Sequence, residues 1–96
     1  MPPLTHTEID KKLQAAKGWS QVGNALYKKF TLKTFPAAIE FVNRIARTAE
    51  KANHHPDLDI RYNVVEVTLS THSEGGITEK DFALAQQIDE ISSNLP

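Results

Sequence analysis

Residues Leu58–Thr71 read "LDIRYNVVEVTLST", and the order of residue types in this stretch decides the kind of fold the chain can adopt. Val65, Val67 and Leu69 alternate with Glu66 and Thr68, the pattern of a strand with one face buried. Tyr62-Asn63 is the bend that separates this strand from the one before it, so the two form an antiparallel hairpin. A sheet built from hairpins and buried on one face needs helices to cover that face. The rest of the chain must supply them.

Upstream, "TFPAAIEFVNRIARTAEKAN" (Thr34–Asn53) is the clearest helix. Thr34 can cap it, and Pro36 sits in the first turn, where its missing amide proton costs nothing. Ala38, Val42, Ile45 and Ala49 line one face, widened by Ile39 and Phe41. Pro56 forces His55 out of the helical region, so the helix stops by Asn53.

Further upstream, "WSQVGNALYKKFTLK" (Trp19–Lys33) reads as two strands turned at Gly23-Asn24. Leu26, Phe30 and Leu32 share a face that Lys28 interrupts. In "LTHTEIDKKLQAAKGW" (Leu4–Trp19), Thr5 and Glu8 make a capping box, Ile9, Leu13 and Ala16 form an apolar stripe, and Gly18 is the expected left-handed stop. Downstream, Gly75-Gly76 breaks the strand pattern, and Thr78 and Asp81 open a last helix whose Leu84, Ile88, Ile91 and Leu95 are spaced for one face. The order is α-β-β-α-β-β-α. The expected fold is a two-layer α+β domain, a four-stranded antiparallel sheet with three helices on one face, spanning residues 1–96 as a single unit.

Composition excludes several function classes. Formal net charge is -1, which argues against a polyanion-binding surface and so against direct nucleic-acid contact. The absence of cysteine removes disulfides and thiolate zinc sites. The N-terminal "MPPLTHTEIDKK" lacks the apolar core of a signal peptide, and no apolar run is long enough to span a membrane. A cytoplasmic location is expected.

The chemistry-bearing residues are three histidines. His54 and His55 follow the long helix, where the negative end of the helix dipole favours a charged imidazole. Imidazole can give or take a proton near neutral pH, as general acid–base catalysis requires. Glu50, one turn earlier, is placed to support and orient His54. On pattern alone, a histidine pair at a helix end before a proline is more often a capping, solvated turn, and His72 at a strand end is equally ordinary. His6 is set aside. A metal site is disfavoured, because His54 and His55, adjacent in extended chain, point opposite ways. A serine nucleophile lacks its elbow motif. Trp19, the only tryptophan, can stack on a flat heterocycle or simply pack.

Read together, the spacing says more. Glu50, His54-His55-Pro56, Tyr62, His72 and Asp81, with the words "EKANHHPD", "YNVVEVTLSTH" and "GITEKDFALAQQID", resemble the signature of the pterin-4a-carbinolamine dehydratases over about Thr5–Leu95. The resemblance implies an antiparallel four-stranded sheet with helices on one face. It also implies a hydro-lyase that dehydrates 4a-hydroxytetrahydrobiopterin to quinonoid dihydropterin, supporting tetrahydrobiopterin recycling, with neither metal nor redox cofactor. On this resemblance His54 and His72 form the acid–base pair, roles unassigned between them, and His55 completes the catalytic set by binding and orienting the pterin. Asn53, Pro56, Ser70, Thr71 and Ser73 match positions that line the pterin pocket, together with the three histidines, and Trp19 forms part of its wall. Glu50 supports by tuning a histidine, and Asp81 by capping the last helix beside the pocket. Leu58 and Lys80 depart from the aromatic and arginine many relatives carry, which bears on pocket shape and affinity.

Family members form homodimers or homotetramers, and a homo-oligomer is expected. Animal members also bind a homeodomain transcription factor, and other relatives serve as assembly factors. A protein-binding module that keeps the pocket, with a protein partner unspecified by the sequence, is therefore the alternative to the enzyme.

Overall fold

The structure, a computed structural model, describes residues 2–95. Met1 and Pro96, the outermost residues of the expected 1–96 span, lie outside the described residues. The elements are α1 (His6–Leu13), β1 (Ser20–Val22), β2 (Ala25–Thr31), α2 (Phe35–Ala52), β3 (Asp57–Arg61), β4 (Val64–Leu69) and α3 (Glu79–Ser93), with a short 3-10 turn at His72–Glu74 before α3. This is the α-β-β-α-β-β-α order the sequence implies.

The four strands form one antiparallel sheet in the order β1-β2-β4-β3. Register places Leu26 opposite Leu69 and Phe30 opposite Val65, while Leu58 faces Val67 from the other side. Because side chains alternate across a strand, this register gathers Leu26, Phe30, Val65, Val67 and Leu69 on one face, and all of them are buried. The helices cover that face. Ala38, Phe41, Ile45 and Ala49 of α2 and Leu84, Ala85 and Ile88 of α3 complete the core, with Ile9 from α1. Phe41 is fully buried and its ring lies 4.9 Å from that of Phe30. Removing an aromatic anchor of this kind costs about 3–5 kcal/mol. The last-helix stripe ends at the core margin, where Ile91 and Leu95 are half-buried against the cluster.

The caps form as the sequence dictates. Thr5 N–H donates to Glu8 Oε1 at 2.8 Å and Glu8 N–H donates to Thr5 Oγ1 at 3.2 Å. These bonds from Thr5 hold the Glu8 carboxyl below its usual range. Thr34 Oγ1 accepts from Ala37 N–H, and α2 ends at Asn53 in the left-handed conformation, φ 50°.

One boundary differs from expectation. The helix α1 ends at Leu13, well before Gly18. Gln14, Ala15 and Ala16 bond back three residues rather than four, to Lys11, Lys12 and Leu13, so the last carbonyls are satisfied by tightened turns. Gly18 does take a positive φ of 87°, and a side chain there would meet Lys28 Cε at 2.8 Å.

Lys28, which interrupts the apolar face of β2, reaches the rim of the core rather than its centre. Its ammonium donates to Asp89 Oδ1 at 2.8 Å and to the Lys17 carbonyl at 3.1 Å, and it lies 4.8 Å from the Phe30 ring centroid. The aliphatic stem packs while the charge finds an anion. The opposite sheet face, free of helices, carries Tyr27, whose hydroxyl donates to Glu66; that bond raises the phenol above its usual pKa.

Candidate active site

Three chain segments converge at one corner of the molecule: the C-terminal end of α2, the stretch following β4, and the N-terminal end of α3. The left-handed Asn53 and the extended residue before Pro56 turn the chain out of α2 and into β3. His54 and His55 therefore lie on successive positions of a non-helical segment and part in opposite directions.

His54 turns inward. Its Nε2 lies 2.6 Å from Asp81 Oδ1, with side-chain exposures of 11% and 0%. Asp81 is the third residue of α3 and completes the cap of that helix. Its Oδ2 accepts Thr78 N–H at 2.9 Å and Thr71 Oγ1–H at 2.9 Å. The Thr71 and Thr78 hydroxyls are 2.8 Å apart, and all of these polar groups are buried. A carboxylate at a helix N-terminus meets free backbone N–H groups and the positive end of the dipole, which is why this charge tolerates burial.

His55 turns outward. Its Nε2 lies 3.0 Å from Glu50 Oε2, with exposures of 57% and 79%. The Glu50 carboxylate thus serves His55, whereas the sequence pointed it at His54. A helical carboxylate and an imidazole beyond the helix end meet only if the chain exits toward the carboxylate, and the left-handed Asn53 sends His55 that way.

His72 stands on the 3-10 turn after β4, exposed, with its Nε2 3.3 Å from Ser70 Oγ. The strand alternation sends Ser70 to the uncovered sheet face and Thr71 inward, where Thr71 N–H donates to the Gly76 carbonyl at 2.9 Å. On the uncovered face, an open groove of about 450 Å³ is lined by His72, Ser70, Thr68, Asp57, Asn24 and Gly76 among others. That is large enough for a bicyclic heterocycle. Asp57 and Thr68 sit opposite each other in the β3–β4 register. They were not among the residues singled out from the sequence, although the alternation of β4 through Thr68 and Ser70 would have found this face.

Two expected contacts take other places. Thr71 is 3% exposed and its hydroxyl is committed to Asp81, so its side chain supports the corner rather than facing a ligand. Trp19 is 6% exposed, edge-on to Phe30 at 6.1 Å, and its indole N–H donates to Asp89 Oδ2 at 3.0 Å. It packs in the core and is not part of the groove lining. Asn53 is exposed at the α2 cap, Pro56 is half-buried, and Ser73 is exposed on the 3-10 turn. Tyr62 lies in the β3–β4 turn with φ 53° and is 72% exposed, at the far end of β4 from His72. Among the described residues, no three His, Asp or Glu side chains are grouped so as to hold a metal ion. Nor, among the described residues, is any helix long and apolar enough to cross a membrane.

Comparison with known proteins bears on what this corner is for. The family model for pterin 4 alpha carbinolamine dehydratase matches residues 2–91. A protein of Herpetosiphon aurantiacus named for the pterin-4-alpha-carbinolamine dehydratases is 55% identical over 91 residues, covering 95% of both chains. Another of that name from Chloroflexus aurantiacus is 54% identical over 91 residues, 95% of this chain and 98% of its own. The crystal structure of a transcriptional coactivator/pterin dehydratase from Brucella melitensis superposes with a TM-score of 0.91 at 40% identity, covering 94% of this chain and 98% of that one. A pterin dehydratase-like RuBisCO assembly factor of the alpha-carboxysome shares the fold at 21% identity and a TM-score of 0.64, over 77% of this chain and 86% of its own. With the family model spanning nearly the whole chain and relatives matching it end to end at over half identity, the chain belongs to the pterin-4a-carbinolamine dehydratase family.

Proposed function

We propose that the protein dehydrates 4a-hydroxytetrahydrobiopterin, or a closely similar pterin-4a-carbinolamine, to the quinonoid dihydropterin, and so supports pterin recycling. The observation that carries this reading is His54: an imidazole anchored at one nitrogen by a fully buried carboxylate, one hydrogen-bonded threonine away from the segment that bears His72.

The reaction breaks the C4a–O bond and the N5–H bond and forms a C4a–N5 double bond. One proton must reach the departing hydroxyl to make water, and one must leave N5. Two imidazoles meet that demand, one as acid and the other as base, and the net proton count is zero. His54 and His72 take these two roles. His55, exposed and steadied by Glu50, contacts and orients the ring, and Ser70 and the groove beside His72 receive the remainder of the pterin. Asn53, Pro56 and Ser73, on the segments that carry the histidines, are further substrate contacts in this reading. Trp19 acts on the site only through the packing of Phe30 behind the sheet.

The test is the rate of loss of 4a-hydroxytetrahydropterin generated in situ and followed by absorbance. The carbinolamine also dehydrates spontaneously, so the excess over the blank is the quantity of interest. Wild type accelerates the loss, and His54→Ala and His72→Ala, each with an unchanged circular dichroism spectrum, lose most of the acceleration. A well-folded wild type that adds nothing to the blank overturns the enzyme reading. It would leave a protein-binding role, the first half of the Brucella relative's double description, which His54→Ala does not touch.

A further inference from the structure

The hydrogen bonds around Asp81 have fixed directions, and those directions reach His54. Lys80 N–H can only donate, and it donates to Thr78 Oγ1 at 3.2 Å. Thr71 gives its one hydroxyl proton to Asp81 Oδ2 at 2.9 Å, so its oxygen can only accept the Thr78 hydroxyl proton across the 2.8 Å between them. Thr78 N–H donates to the same Asp81 oxygen. Both donors end on Asp81 Oδ2, and because a carboxylate accepts through either oxygen, the 2.6 Å contact of Oδ1 with His54 Nε2 carries an N–H donated by the imidazole.

The remaining nitrogen, Nδ1, has no hydrogen-bond partner among the described residues. No buried side-chain nitrogen or oxygen among them is left unpaired, so Nδ1 of the half-buried His54 meets solvent.

We propose that Asp81, aligned by Thr71 and Thr78, is a positioning residue that holds the His54 proton on Nε2, so that His54 exchanges its reaction proton with substrate through Nδ1 alone. This rests on the dehydratase reading for its catalytic consequence. Whichever way the proton moves, a proton arriving at Nδ1 makes an imidazolium whose second N–H is already paired with an anion, and a proton leaving Nδ1 returns the neutral ring to one tautomer. A histidine with an incorrect tautomer has no lone pair where the substrate proton lies, and correcting tautomers of that kind is worth several powers of ten in other catalytic histidines.

The experiment is long-range 1H–15N correlation NMR of the imidazoles in uniformly 15N-labelled protein, without substrate, on the alkaline side of the imidazole titration. His54 is expected to show the Nε2–H tautomer alone, with Nδ1 carrying the signature of an unprotonated nitrogen. In Asp81→Asn, both tautomers should be present. Thr71→Val, which leaves the Asp81 carboxylate in place, covers the case in which Asp81→Asn fails to fold: it should broaden or split the His54 signals, and Thr71→Ser should restore them. In turnover, Thr71→Val should lower kcat about tenfold or more with KM little changed, and Thr71→Ser should recover it. A wild-type His54 protonated on Nδ1, or a tautomer population indifferent to both variants, overturns the proposal. A locked tautomer in a protein without dehydratase activity would uphold the positioning role and remove only the reaction it was proposed to serve.

Discussion

His54 and His55 are neighbours in the chain, and each meets a carboxylate, yet the two pairs belong to different physical regimes. The His54–Asp81 contact is 2.6 Å long and nearly closed to solvent, and its carboxylate takes two further donors. The His55–Glu50 contact is 3.0 Å long, and both side chains are more than half exposed. Water competes for the second hydrogen bond and hardly reaches the first, so the outer contact is weakened by solvent and the inner one is not. The comparison teaches that a sequence word such as "HHP" holds two residues of the same type doing different work. The inner one is held by a buried carboxylate, and the outer one stands in solvent beside an exposed one.

The comparison breaks first at Asp81. Replacing it with alanine leaves His54, Thr71 and Thr78 N–H without their common acceptor, and each buried donor left unsatisfied costs about 1–3 kcal/mol. Urea denaturation should show a large fall in midpoint. Thr71→Val removes one donor from the buried carboxylate and should cost about 1–3 kcal/mol by the same measurement. At the outer pair, a double-mutant cycle of His55→Ala and Glu50→Ala should give a coupling of about 0–1 kcal/mol that shrinks as salt rises. A coupling as large as that of the inner pair would erase the distinction.

The smallest effect is a pH dependence remote from the site. Glu8 has its pKa lowered in the folded state by Thr5, so its contribution to stability is present above the unfolded carboxylate value of about 4.3 and is lost as pH falls through the lowered folded value. Denaturation midpoints followed from pH 6 downward should therefore fall less steeply in Glu8→Gln than in wild type.

Most of the fold was legible because its signals are local. The alternation of Val65, Val67 and Leu69, the Gly23-Asn24 turn and the threonine caps each act within a few residues, and each forms where expected. The end of α1 was misread because Gly18 marks a stop, while the tightened turns from Gln14 onward leave no residue-type mark. For the candidate site, the sequence offered residues but not their partners. Asp81 could be seen as a helix cap, but its bond to His54 joins residues 27 apart, and nothing local encodes it. Glu50 looked like the partner of His54 for the opposite reason: it is near in sequence, and only the left-handed turn at Asn53 decides which histidine reaches it. Trp19 likewise finds Asp89 across 70 positions.

The measurement that tests the account most directly is steady-state carbinolamine dehydration by His54→Ala and His55→Ala, compared as a pair with both variants shown to be folded. The account predicts that His54→Ala loses kcat by about 10²-fold or more, the scale of a general acid–base group, while His55→Ala raises KM and keeps most of kcat. If His55→Ala abolished kcat while His54→Ala turned over normally, the buried pair would be a structural anchor and the chemistry would lie on the exposed one, contrary to the account.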